Sequence, residues 1–361
     1  MRFIIACGGT GGHVYPGVAT GQVLQSDGHE VHLWLAGKAI EKKSINGWSG
    51  PVSVVATDWA QTRSPLALLR TGFRLAWAWL SCRHQLRRLR PAVLLAMGSR
   101  ASLIPVTAAR SLGIPVVLHE ANVMPGKAIT LLSRFLRVTL AIGFADTAAR
   151  LPGRTAIVTG FPLRDMTPQG PLPGLPPGDA PVVLIMGGSQ ASAKVNQMAC
   201  DALIRLNRIR VPLRVIHLAG TQMEASIRAS YAAEGVPAVV FGYLQDMGAA
   251  YAAASVAISR AGAASCAELA FFGVPTLYIP YPYAGNHQRL NALAMEKAGA
   301  ALTRAQDALS IDGLADRLRL LLRSTEERTH MREAALKAAT PDAARRLADL
   351  ILETAGKPAA P

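Results

Sequence analysis

The chain is poor in cysteine, in acid and in long apolar runs. Four cysteines, Cys7, Cys82, Cys200 and Cys266, are spread over 361 residues. No pair has metal-ligand spacing, and four scattered thiols do not make a disulfide framework, so they read as reduced thiols of a cytoplasmic protein. No D-x-D motif and no His/Asp cluster offers a metal site, so the reading expects no metal and no cofactor. No stretch is long and uncharged enough to span a bilayer. The first apolar run, Arg2–Cys7, goes straight into glycines, which does not fit a leader. Acid is scarcer than base: 23 Asp and Glu against 38 Lys and Arg, a net charge of +15. Such a field attracts nucleic acid, anionic lipid or phosphorylated ligands. No nucleic-acid recognition motif accompanies it, and nucleic acid is not expected as a partner.

What is present is one kind of turn, twice. Arg2-Phe3-Ile4-Ile5-Ala6-Cys7 breaks into Gly8-Gly9-Thr10-Gly11-Gly12-His13. Later, Val182-Val183-Leu184-Ile185-Met186 breaks into Gly187-Gly188-Ser189-Gln190. Glycine lets the backbone turn with its N–H groups uncovered, and the start of the next helix favours anions. Half the residues are hydrophobic, enough for large cores. Apolar runs at 2–7, 30–36, 51–55, 92–96, 115–118, 138–142 and 155–159 alternate with helical patterns. A second series lies at 181–186, 213–218, 237–240, 255–258 and 275–279. This is the α/β signature of parallel sheets covered by helices. The expected organisation is a Rossmann-like domain over 1–160, a proline-rich linker over 161–180 and a second Rossmann-like domain over 181–340. A helix near 341–356 can pack back on the first domain. The two turns are expected to face a shared cleft.

The first turn fails as a dinucleotide fingerprint. Val14 stands where the third glycine belongs, and the second strand ends Leu35-Ala36-Gly37-Lys38 without an acid for a ribose. It remains a diphosphate loop. His13 at the helix start can act as a base on a bound hydroxyl, or merely cap the helix or contact a phosphate.

Between Pro65 and Arg90, Leu66, Leu69, Phe73, Trp77 and Leu80 recur at helical spacing among seven arginines that begin at Arg63. No acid occurs from Trp59 to Arg110. This fits a helix lying in an anionic membrane interface; the other reading is a buried crossover helix whose arginines solvate one face. His119-Glu120-Ala121-Asn122 follows an apolar strand, at the carboxyl edge where parallel sheets bind ligands, or serves as a loop cap. Arg260-Ala261-Gly262-Ala263-Ala264-Ser265-Cys266-Ala267-Glu268 follows another, with Glu268 placed to hold a ribose diol or to face solvent. The loop 280–288 ends in His287-Gln288, whose amide can bond a sugar hydroxyl. Phosphate charge then falls to helix dipoles and arginines.

In order along the chain, these stretches resemble the MurG family of bacterial glycosyltransferases. Further shared stretches are 112–120 with Asn122, Pro162-Leu163-Arg164, Asp246-Met247 with Ala249-Ala250-Tyr251, and Glu296–Ala300. The resemblance implies a GT-B fold of two Rossmann-like domains. It implies inverting transfer of N-acetylglucosamine from UDP-N-acetylglucosamine to lipid I, giving lipid II for peptidoglycan, at the cytoplasmic face of the inner membrane, with roles in cell shape and division. By the same resemblance Glu268 would hold the ribose, and Ala263, Ala264, Ser265, Cys266 and Ala267 the diphosphate. Leu244 and Arg164 would contact the nucleotide, Ser189 a phosphate, and Gln288 and Asn122 the sugar. Thr10, Gly11 and Gly12, counted with the donor contacts, would also face the acceptor diphosphate. His13 would be the base, and His119, Glu120, Ser99 and Arg100 would line the acceptor side. Where the family commonly has Met-Gly-Gly-Tyr, this chain has Met97-Gly98-Ser99-Arg100, and Arg100 would add a phosphate contact. A UDP-sugar 2-epimerase and a non-catalytic binding relative are the competing readings.

Overall fold

The structure, a computed structural model, describes residues 1–55, 65–187, 192–283 and 285–356. The chain divides into two compact units: Met1–Arg164 joined by the segment from Thr340 onward, and Asp165–Ala339.

The first unit holds seven strands: β1 (Arg2–Ala6), β2 (Glu30–Leu35), β3 (Val52–Val54), β4 (Val93–Ala96), β5 (Val116–Glu120), β6 (Thr139–Ile142) and β7 (Ala156–Val158). Their order is β3-β2-β1-β4-β5-β6-β7, with every pairing parallel. Helices α1 (Gly11–Ser26), α2 (Ala39–Ser44), α3 (Pro65–Leu89), α4 (Leu103–Arg110) and α5 (Lys127–Phe135) connect them. Because both faces are covered, β1 alternates between two apolar cores rather than between core and water. Ile4 and Ala6 join Cys82, Leu86 and Ile129 of α3 and α5. Phe3, Ile5 and Cys7 join Val14, Val18 and Leu24 of α1.

The second unit holds β8 (Val182–Met186), β9 (Arg214–Leu218), β10 (Ala238–Phe241), β11 (Val256–Ser259), β12 (Thr276–Tyr278) and β13 (Ala301–Thr303). They run parallel in the order β10-β9-β8-β11-β12-β13. Its helices are α6 (Ala193–Arg208), α7 (Glu224–Ala233), α8 (Met247–Ala253), α9 (Ala263–Phe271), α10 (His287–Lys297), α11 (Ile311–Arg323) and α12 (Thr325–Ala338). Strand β13 at the sheet edge was not anticipated from the sequence.

The last helix, α13 (Ala343–Gly356), belongs to the first unit. Leu347, Ala348, Leu350 and Ile351 enter the core that α1 covers, and Arg345 grips Asp27 at the end of α1 with two bonds of 2.7 and 2.9 Å.

Much of the proline-rich segment 161–180, expected as a linker, packs on the second unit. Residues from Asp165 lie on the second unit. A Cβ at Gly248 of α8 would stand 2.1 Å from the Met166 carbonyl oxygen, so only glycine admits the chain there. The Gln169 amide donates to Asp246 at 2.9 Å, and Arg214 donates to the carbonyls of Pro176 and Ala180. Proline forbids helix and ladder, but it does not forbid packing.

Candidate functional site

Strand order reverses between β1 and β4 in the first sheet and between β8 and β11 in the second. Ligands of open parallel sheets bind at such points, beyond the carboxyl ends of the strands. The two reversals therefore define two candidate sites, one in each unit.

In the first, the chain leaves β1 through Gly8 and Gly9. A Cβ on Gly8 would lie 2.4 Å from the Ala36 nitrogen, and Gly9 has φ +136°, so both positions require glycine. Thr10 is the N-cap of α1 but makes no side-chain cap. The Gly11 and Gly12 amides, in the first turn, lack intrahelical acceptors. Thr10 Oγ1 instead lies 3.0 Å from His13 Nδ1. Desolvation, helped by the Lys38 ammonium, pushes the half-buried His13 imidazole down to about 4. It is neutral at physiological pH, as a base must be.

Sequence reasoning missed Glu41, in α2. Its carboxylate is 1% exposed and accepts the amides of Gly9 (2.7 Å), Ala36 (3.3 Å), Gly37 (2.8 Å) and Lys38 (3.0 Å). From the β4 side, the Ser99 hydroxyl donates to the Gly8 carbonyl at 2.8 Å and accepts from the Ala101 amide. Ser99 has φ 68° and ψ 168°, a glycine region that costs other residues on the order of 1–3 kcal/mol. Arg100 is exposed at the start of the short 3₁₀ turn Arg100–Ser102.

His119 and Glu120, expected on the acceptor side, end β5 with their side chains bonded to nearby backbone. His119 is fully buried and its Nε2 donates to the Gly160 carbonyl at 2.9 Å. Burial holds its imidazole down at about 4. Glu120 accepts the amides of Asn122 (2.9 Å) and Gly126 (2.7 Å) and the Asn122 side chain (3.2 Å). Arg164 ends the first unit, with its guanidinium 4.9 Å from the Tyr15 ring centroid of α1.

In the second candidate site, Ser189 lies outside the described residues. Strand β11 ends at Ser259, and Arg260 follows, 5% exposed. Its guanidinium donates to the Ile279 carbonyl (2.8 Å), Ser192 Oγ (2.7 Å) and Gln306 Oε1 (2.6 Å) and lies over the Tyr281 ring. All three acceptors are neutral, and burial lowers the Arg260 pKa. Gly262 caps α9 without a side-chain bond, leaving the amides of Ala263, Ala264 and Ser265 open. Ala263 and Cys266 point into the core, and burial pushes the Cys266 thiol up to about 12. These two offer the site their backbone only, while Ala264, Ser265 and Ala267 are partly exposed. One turn on, Glu268 Oε2 accepts from the hydroxyl of buried Tyr251 at 2.7 Å. Gln288 accepts the Tyr281 amide at 3.0 Å, which steadies the 280–288 loop. Leu244 is partly exposed between β10 and α8. Among the described residues, no group of three or more His, Cys, Asp or Glu is placed to hold a metal.

The α3 helix has one buried and one exposed face. Ala78, Cys82 and Leu86 face the core, while Leu66, Leu69, Phe73, Trp77 and Leu80 stand 59–75% exposed on the other side. Arg70, Arg74, Arg87 and Arg88 are exposed along the same helix. No described helix is long and apolar enough to cross a membrane.

Two matches set this geometry in a family. Residues 3–140 match the glycosyltransferase family 28 N-terminal domain and 182–347 its C-terminal domain; the protein is a glycosyltransferase of GT-B fold. The chain is 35% identical to the UDP-N-acetylglucosamine–N-acetylmuramyl-(pentapeptide) pyrophosphoryl-undecaprenol N-acetylglucosamine transferase of Gloeobacter violaceus, covering 98% of both chains. It is 37% identical to that of Xanthomonas euvesicatoria, over 98% of this chain and 81% of the relative. MurG of Acinetobacter baumannii superposes with a TM-score of 0.80 at 27% identity, over 98% and 99% of the two chains. The chain belongs to this MurG transferase family and is a hexosyltransferase. A UDP-N-acetylglucosamine 2-epimerase from Listeria monocytogenes shares the fold, with a TM-score of 0.73 at 14% identity.

Proposed function

We propose that the enzyme moves N-acetylglucosamine from UDP-N-acetylglucosamine to the 4-hydroxyl of muramoyl-pentapeptide-diphospho-undecaprenol, converting lipid I to lipid II for peptidoglycan and so serving cell shape and division. The observation that carries this reading is a candidate site in each unit, one with a neutral imidazole, the other with a buried guanidinium that has only neutral acceptors. The acceptor oxygen attacks the anomeric carbon, the bond from that carbon to the diphosphate oxygen breaks, and UDP leaves with the electron pair. Configuration inverts. His13 Nε2 takes the proton, which requires the tautomer in which Nδ1–H donates to Thr10. Helix-start amides of α9 and Arg260 receive the charge on the leaving diphosphate; no metal is needed in this scheme. Glu268 holds the ribose, Leu244 and Ser189 contact nucleotide and phosphate, and Gln288 and Asn122 the sugar. Arg100 reaches an acceptor phosphate.

The exposed stripe of α3, flanked by arginines, rests the enzyme on the anionic cytoplasmic face of the inner membrane. Transfer of labelled N-acetylglucosamine to a short-chain lipid I analogue, in EDTA, tests the reaction: a disaccharide-lipid is expected. Free sugar epimerised at C2, or no product with donor still bound, would sink it. F73S/W77S should cut binding to anionic vesicles at least tenfold, and unchanged flotation would remove α3 from that role.

A further inference from the structure

The Gly8–Gly9 peptide group is held at both ends. Its carbonyl accepts from Ser99, which comes from the β4 side; its N–H donates to Glu41, which comes from the β2 side. Neither glycine has a side chain to fix it, and Gly9 sits at φ +136°. The two bonds therefore add to the close packing of Gly8 on Ala36. The peptide also feeds directly into Thr10 and α1. An ideal Cβ on Gly9 would stand 3.6 Å from His13 Nδ1, so the imidazole lies beside this turn. Glu41 further ties the loop after β2, through Gly37 and Lys38, to the same turn.

We infer that Glu41 and Ser99 are positioning residues that fix the acceptor-side turn by clamping this one peptide. The clamp occupies the Gly9 N–H, so an acceptor diphosphate meets the amides from Thr10 onward. It also sets where His13 points. This inference rests on the transferase reading for its kinetic consequence, but not for its structural one.

The full-length chain with E41Q, S99A and S99G tests it. Hydrogen exchange of the 7–13 segment needs no substrate. It should quicken at least tenfold in E41Q, while the 182–187 strand exchanges as in the parent. In transfer assays, all three variants should raise acceptor KM or lower kcat at least tenfold and leave donor KM within twofold. Glycine at 99 relieves the backbone strain that alanine keeps, so S99G melts above S99A. If the clamp is right, the two nonetheless share the same acceptor defect. If activity instead follows melting temperature, with S99G like the parent, Ser99 has no positioning role and the inference fails. It fails equally if donor and acceptor KM move together in E41Q, or if exchange at 7–13 is unchanged. Faster exchange in a protein whose parent makes no product would overturn the transferase reading and leave the clamp standing.

Discussion

In the first unit, the turn after β1 meets a buried carboxylate, Glu41; in the second, the strand at the reversal ends in a buried guanidinium, Arg260. The frames are alike: a parallel strand, a glycine, and a helix start without a side-chain cap. Both frames supply the same positive dipole end. The charge placed beside it differs. Glu41 spends itself on backbone amides and leaves a neutral histidine in the first turn. Arg260 keeps its charge with neutral partners. One kind of frame thus stands beside a buried carboxylate and a neutral imidazole in one unit and a buried guanidinium in the other, and the side chains decide which.

Exchanging the effects would break that contrast. H13A should lower kcat roughly 100- to 10,000-fold, the usual contribution of a general base, with donor affinity unchanged by calorimetry. R260M should lower kcat about 100- to 1,000-fold, by analogy with losing a donor to a developing anion, and should weaken binding of UDP itself. If H13A weakens UDP and R260M does not, the division of labour is wrong.

The sheets were legible because strands buried on both faces are continuous apolar runs. Strand β13 was not: Ala301-Leu302-Thr303 is three residues at an edge, with no run to see. Arg260 was visible as a charge at a strand's carboxyl end. Glu41 was invisible, because in Glu41-Lys42-Lys43 it reads as an exposed helix residue and its partners are backbone amides, which leave no trace in sequence. His119 and Glu120 were correctly seen at the sheet edge, but their side chains turn inward to the Gly160 carbonyl and the 122–126 amides.

Both units should lose stability in acid, the first through His13 as well as His119, the second through His217. Each buries one histidine with one ring nitrogen unpaired, His119 and His217. Desolvation holds them at about 4 and about 3. A folded pKa below the unfolded value of about 6.5 means that only the unfolded chain takes up the proton between these limits. Stability is therefore full above pH 6.5 and falls as pH drops toward 4, by up to about 1.4 kcal/mol per pH unit for each histidine. Melting temperatures at pH 7.5, 6.5, 5.5 and 4.5 should be flat and then fall. A curve that rises toward pH 5 would contradict neutral burial.

The smallest effect expected concerns the donor half alone. Tyr251 is 1% exposed, stacks on Phe272 at 5.3 Å, and donates to Glu268. Phenylalanine keeps the ring and the stacking and removes only the hydroxyl. The cost is that of one hydrogen bond, roughly 1 kcal/mol, or about fivefold. If Tyr251 orients the carboxylate that holds the ribose, Y251F raises donor KM by that factor. Acceptor KM and kcat stay put, because neither the α9 amides nor His13 depends on the phenol. The reverse pattern, an acceptor defect with donor KM intact, would mean that Glu268 does not hold the nucleotide. The charge contrast between the units would then have to be explained without a donor in the second.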